Sequence, residues 1–406
     1  MPKPTSAADG SPVRIVFVTL DNHLASTIER VSAALKPAIP GLSVTLHAAA
    51  SWQANPQLLD RCRADIATAD IIIVTMLFME DHIQAVLPDL KARRASCDAM
   101  VGFMSASEII RLTRLGSLSM GGEKKGLLSL LNRLKGSRKK GVSSGAGQMA
   151  MLRRLPKILR YIPGAAQDLR AYFLAMQYWI AGSDVNIENL LRFLTARYAS
   201  GPRSRLKGAI AWAEPVDYPD VGVYHPDLPG RIADSAAKLP VLSAPLRGTV
   251  GVLVMRSYLL AGNTKHYDGV IRALEARGLR TIVAFSSGLD QRPAIKQFMM
   301  TDGVAKIDAL LSLVGFSLVG GPAYNDGDAA AEMLKQLDVP YISAQAVEFQ
   351  SLDQWESSQR GLLPIEATMM LSIPEIDGAT GSIVFGGRAD QENGEAGRDM
   401  SLNRER

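Results

Sequence analysis

The feature that most constrains this chain is an alternation of short apolar runs with amphipathic stretches of helical length. From Val13 to Leu115 the runs are VRIVFVTL, LSVTLHAA, DIIIVTML and CDAMVGFM, all rich in β-branched residues. A strand with no polar alternation meets water on neither face, so it belongs in a parallel sheet covered by helices on both sides. Residues 1–115 therefore read as one doubly wound α/β domain. Asp21 or Asn22, ahead of HLASTIERVSAAL, and Ser105, ahead of ASEIIRLTRL, are the expected helix caps. The pattern resumes at Gly248. There TVGVLVMRSY, RTIVAFSS, IDALLSLVGF and PYISAQAV read as strands, with HYDGVIRALEARGL, AIKQFMMTDG and GDAAAEMLKQLDV as helices. The fold class expected is α/β, with two doubly wound, mostly parallel-sheet domains, the second over 248–388. The two show no obvious sequence repeat of one another.

Between them the character changes. Residues 116–148 form a Gly/Ser/Lys-rich basic linker, and 149–247 a helical and irregular connecting region. The latter holds LRRLPKILRYI, QDLRAYFLAMQYWIAG and VNIENLLRFLTARYAS, then a proline-rich stretch from Ala209 to Leu246. Residues 389–406 read as a polar tail. The formal net charge of +5 is a property of one segment: Gly116 to Pro163 carries eleven Lys or Arg against the single acid Glu123. Such a tract attracts nucleic acid, anionic lipid or an acidic partner. It has no aromatic residue before Tyr161 to stack a base, so a nucleic-acid partner is not expected and a solvated linker is the simpler reading. Cys62 and Cys97 lack zinc-type spacing, the first residues are not a secretory signal, and the longest apolar runs are too short to span a bilayer. A cytoplasmic protein with at most peripheral membrane contact is expected.

Nucleotide chemistry finds no support in the motifs. There is no GxxxxGK[ST], and GVSSGAGQ follows a basic linker rather than a strand; HExxH, CxxC and GxSxG with partners are also missing. No metal site and no catalytic residue is assigned. In open α/β sheets ligands collect at the carboxyl ends of strands, here the loops after Val254, Phe285, Val314 and Ile342. The densest polar group at such an end is MRSYLLAGNTKHYDG, which offers Arg256, Tyr258, Asn263 and His266. A simpler role for Asn263 and Thr264 is to cap the helix that follows. His225, in VGVYHPDLPG, is a candidate base or metal ligand, though a turn-fixing role fits it better. Glu214 and Glu366 are carboxylates in mostly apolar surroundings, where burial raises a carboxyl pKa toward proton transfer, though a surface helix start explains Glu366 as simply.

Three long runs carry a family resemblance: GTVGVLVMRSYLLAGNTKHYDGVIRALEARGLRTIVAFSSGLDQRPAI, VGGPAYNDGDAAAEMLKQLDVPYISAQAVEFQSLDQW and GLLPIEATMMLSIPEIDGATGSIVFGGR. They resemble the family shared by magnesium chelatase H subunits and the large subunit of cobaltochelatase. VRIVFVTLDNHLASTIERV and ADIIIVTMLFMEDHIQAVLP resemble the extra domain that precedes this region in the magnesium enzymes, which favours magnesium over cobalt. The resemblance implies the porphyrin-binding subunit of a ligase forming nitrogen–metal bonds. In that enzyme Mg²⁺, a substrate ion, replaces two pyrrole protons of protoporphyrin IX, while AAA+ partner subunits hydrolyse ATP, which therefore does not bind this chain. The next methyltransferase of (bacterio)chlorophyll biosynthesis is a further candidate partner. Porphyrin contacts are expected around Arg256, Tyr258, Asn263 and His266, with His225 and Glu366. Family members are several times longer, so the chain is expected to be an N-terminal part that does not chelate alone; a docking scaffold and a cobaltochelatase fragment are the rival readings.

Overall fold

The computed structural model describes residues 11–20, 22–53, 55–121, 153–242, 245–321, 324–390 and 396–402. The expected cap Asp21 and most of the 116–148 linker lie outside the described residues. The chain divides into two compact units, Met1–Val216 and Asp217–Arg406.

In the first unit, β1 (Val13–Thr19), β2 (Leu42–Ala48), β3 (Ile71–Thr75) and β4 (Ala99–Phe103) run parallel in the order β2-β1-β3-β4. The short β5 (Arg114–Leu115) and β6 (Leu118–Ser119) add antiparallel at one edge. Every residue of β3 and β4 is buried, as a sheet with both faces covered requires. Its helices are α1 (Ala25–Leu35), α2 (Pro56–Thr68), α3 (Glu80–Arg93) and the short α4 (Ser107–Arg111).

The caps differ from expectation. Asn55 caps α2 by accepting from the Gln57 N–H at 3.2 Å, whereas α1 starts after Leu24 and α4 after Ala106, neither with a side-chain cap. Ser105 instead accepts from the Leu77 N–H and donates to the Phe103 carbonyl, each at 3.1 Å, so its hydroxyl ties neighbouring loops together. Gly102 has a packing reason: a Cβ there would stand 2.6 Å from the Ile109 carbonyl oxygen.

Residues 153–159 are helical, followed by α5 (Ala165–Ala181) and α6 (Asp184–Tyr198), where the helical part of the connector was expected. These helices are part of the first unit. Trp179 of α5 stacks on Phe17 with centroids 5.6 Å apart, and the Tyr172 hydroxyl donates to the Gly102 carbonyl. Buried Asp98 accepts from the Ser200 N–H and hydroxyl and, in a two-pronged fork, from the Nε and Nη2 of Arg203.

The second unit is built on one eight-stranded sheet. Its five central strands are β9 (Gly248–Leu253), β10 (Leu279–Ser286), β13 (Ala309–Ser312), β16 (Tyr341–Ser351) and β17 (Thr380–Asp390), all parallel. The central β17 and three edge strands were not expected. The proline-rich stretch supplies β7 (Val221–Tyr224) and β8 (Ile232–Ala233), antiparallel on the β10 side. The segment read as a polar tail supplies β18 (Ala396–Leu402), antiparallel to β17. The full order is β18-β17-β16-β13-β9-β10-β7-β8, and two-residue hairpins, β11 (Met300–Thr301) with β12 (Val304–Ala305) and β14 (Gly320–Gly321) with β15 (Tyr324–Asn325), lie outside it.

The expected strand TVGVLVMRSY stops early: β9 ends at Leu253, and Arg256–Leu260 is the short helix α7. It is followed by α8 (Lys265–Glu275), later by α9 (Gly327–Leu337) and α10 (Leu352–Ser357), and by a helical stretch at 364–377 whose middle, Ala367–Ser372, is wound as π-helix. Val252, Leu253, Val283, Phe285 and Leu310 are all at 0% exposure, which puts the core on both faces of the central strands. No helix among the described residues is long and apolar enough to cross a membrane.

Candidate functional site

The carboxyl end of β9 delivers the chain into the loop singled out from sequence. Gly262 takes φ +70°, a left-handed turn that glycine adopts without strain, and this lets α7 hand over to α8. Tyr258, Asn263 and His266 are thereby gathered beneath α8 against β16, β17 and β18. Arg256 is not part of that gathering. Its Nε donates to the Pro219 carbonyl at 2.9 Å and its Nη2 to that of Tyr218 at 3.0 Å, so the buried guanidinium braces the backbone leading into β7.

The gathered residues make a buried polar cluster inside an aromatic sleeve. The Tyr258 hydroxyl donates to Glu348 Oε1 at 2.6 Å. The Asn263 side-chain carbonyl accepts from the Met400 N–H of β18 at 2.9 Å, so Asn263 pins an edge strand rather than capping α8. His266 is 1% exposed; its ring lies nearly parallel to Phe385 at 5.8 Å and edge-on to Tyr258 at 5.4 Å. Burial first, then the positive charge of Arg388, lower its pKa from 6.5 to about 3, so the imidazole is neutral at physiological pH. Its Nδ1 is buried with no hydrogen-bond partner. Burial likewise pushes the neighbouring Tyr267 phenol far above its usual range.

Arg388 is the member of this cluster that sequence reasoning missed. It lies near the end of β17 at 0% exposure, and its Nε donates to the Glu348 carbonyl at 2.7 Å. Neither Nη1 nor Nη2 has a hydrogen-bond partner, and among the described residues no carboxylate forms an ion pair with it. The signal was present in VFGGR, where a charged residue closes an apolar, glycine-rich run that reads as buried strand.

The remaining candidates stand elsewhere as braces. The His225 Nε2 pairs with Glu275 Oε1 at 2.9 Å, and its Nδ1 accepts from the Asp227 N–H at 3.2 Å, which fixes the turn after β7. Glu366 is fully buried and accepts four hydrogen bonds: from the Glu348, Phe349 and Leu363 N–H groups and from the Gln350 amide. So clamped, Glu366 anchors the start of the 364–377 helix. Glu214, in the first unit, is half exposed and ion-paired with Arg170 at 2.6 Å. Among the described residues no group of three or more His, Cys, Asp or Glu side chains is placed to hold a metal ion.

Residues 176–406 match the family model described as CobN/Magnesium Chelatase, and residues 14–173 match a domain of unknown function, DUF3479. The chain is 49% identical over 96% of its length to the magnesium-chelatase H subunit of Rhodobacter capsulatus, and 48% identical over 95% to its namesake in Cereibacter sphaeroides. Each alignment covers 32% of the relative. It is also 33% identical, over 95% of its length and 29% of the relative, to the chloroplastic magnesium-chelatase protein ChlH of Oryza sativa subsp. indica. The chain thus spans about a third of the length of these curated relatives. With more than half of its residues inside that family model, the chain belongs to the CobN/Magnesium Chelatase family.

Proposed function

We propose that this chain is the N-terminal part of the porphyrin-binding subunit of a magnesium chelatase, a ligase that inserts Mg²⁺ into protoporphyrin IX for (bacterio)chlorophyll biosynthesis. In this reading ATP is hydrolysed by AAA+ partner subunits in the cytoplasm, Mg²⁺ is a substrate ion, and the product passes to a methyltransferase. The observation that carries the reading is the 49% identity to a magnesium-chelatase H subunit along nearly the whole chain. The buried cluster adds chemistry that suits a tetrapyrrole: aromatic faces on Tyr258, Tyr267 and Phe385, a neutral imidazole on His266, and a cation on Arg388. Mg²⁺ gives up its waters reluctantly, so insertion into a rigid macrocycle calls for a driven step on other subunits and leaves this chain to hold and orient the ring. Titrating the chain with the water-soluble analogue deuteroporphyrin, following the emission of Trp355 in α10, tests it. Saturable quenching is expected; quenching no greater than an unrelated protein gives removes this chain from the porphyrin site.

A second reading is favoured by one specific finding. Arg256, His225 and Glu366 all serve as internal braces, the behaviour of a scaffold that docks other subunits. A pull-down with the AAA+ subunits separates the two: a scaffold retains them with no porphyrin present.

A further inference from the structure

A guanidinium is among the most expensive groups to bury, and where one is found its N–H groups are normally matched by acceptors. Arg388 breaks that rule, since its Nη1 and Nη2 are both buried with no hydrogen-bond partner. His266 Nδ1 is buried and unmatched in the same cluster, under α8 and beside Phe385 of the same strand. His266 sits among Tyr258, Tyr267 and Phe385, and Arg388 joins it through Glu348, whose backbone carbonyl accepts from Arg388 Nε and whose side chain accepts from Tyr258; two unmatched polar groups so linked point to a receptor more than to a packing fault.

We infer that Arg388 and His266 form a carboxylate-binding site, in which the paired Nη donors of Arg388 grip the two carboxylate oxygens and the Nδ1–H tautomer of His266 gives a third hydrogen bond. A planar guanidinium fits a carboxylate in a fork of two parallel bonds, a geometry lysine lacks. No proton needs to move, because the imidazole is neutral and offers Nδ1–H by choice of tautomer. The choice of ligand rests on the porphyrin reading above: the carboxylate is a side arm of the tetrapyrrole, whose ring faces the aromatic side chains. The site is closed in this structure, with Arg388 paired across the ladder to Met400 of the edge strand β18. Entry of a carboxylate therefore displaces β18, an edge strand held by its ladder to β17, by the Asn263–Met400 bond and by the packing of buried Met400 against α8.

The test compares deuteroporphyrin, which carries two carboxylates, with its dimethyl ester, which carries none, on the wild-type chain and on Arg388→Met and Arg388→Lys, with thermal unfolding of the free proteins alongside. The wild type should prefer the diacid by about 10- to 100-fold, the worth of hydrogen bonds to a buried charge. Arg388→Met should erase the preference while unfolding at the same temperature as wild type or higher, because an apolar side chain relieves an unmatched charge. A brace would behave in the opposite way, with Arg388→Met lowering the unfolding temperature. Arg388→Lys keeps the charge, loses the fork and should cut the preference by about tenfold; it decides the question should the methionine variant not fold. Equal affinity for diacid and ester, or a preference that survives in Arg388→Met and Arg388→Lys, overturns the carboxylate site and leaves ring binding standing. If the wild type binds neither compound, the porphyrin reading itself falls and the proposed ligand with it.

Discussion

Glu366 shows how far a single residue's surroundings can redirect its role. Its carboxylate takes four N–H donors, from residues 348–350 and from Leu363. Glu366→Ala leaves those donors buried and unpaired, and urea unfolding should show a loss of about 3 kcal/mol or more. His266 should make stability depend on pH. Its folded pKa is lowered, mainly by burial, from 6.5 to about 3, so below pH 6.5 the unfolded chain takes up a proton that the fold refuses. The contribution is full above pH 6.5 and is lost as pH falls toward 3, amounting to about 2 kcal/mol at pH 5. Denaturation at pH 7.5 and pH 5 should show this loss in wild type and not in His266→Gln, where no imidazole titrates; equal losses in the two would show that His266 is not the group responsible. Residue types told where polarity would collect in the loop after β9, but they could not tell partner from ligand. Arg256 looked like a cation for a substrate and instead binds backbone carbonyls 37 and 38 residues away, a pairing made only by the fold.

Among the elements, the central strands other than β17 were legible because they are apolar on both faces, and such runs have no other stable home; β17, TGSIVFGGRAD, carries glycines and two charges that hid it. The edges were not. VGVY of β7 is bracketed by prolines, and AGRDMSL of β18 is mostly polar, yet both are strands because their backbones pair with a neighbour already in place. β18 also depends on the buried Asn263 side chain, which accepts the Met400 N–H. Asn263→Ala orphans that N–H, so the amides of β18 should exchange hydrogen faster while those of β9 and β10 keep their protection. Uniform acceleration across the sheet would instead mean that the substitution loosens the whole unit. Helix starts were the least legible elements, since Ser105 makes the hydrogen bonds of a loop brace where its type suggested a cap.

At the scale of the molecule, the alternation of strand and helix predicted two α/β sheets, and the chain forms two compact units with one such sheet in each. The division between them falls at Val216, inside the stretch read as a connector, because the apolar faces of α5 and α6 pack into the first unit while the proline-rich stretch beyond them feeds the second sheet. Every candidate in the loop after β9 belongs to the second unit, and so does Arg388. Porphyrin should therefore leave its mark there and nowhere else. Hydrogen exchange on the chain with and without deuteroporphyrin is the most direct measurement. Altered exchange is expected at residues 256–275 and 383–390, with the first-unit sheet unchanged; no change at those residues, or a change confined to the first unit, would contradict porphyrin binding at the second-unit cluster.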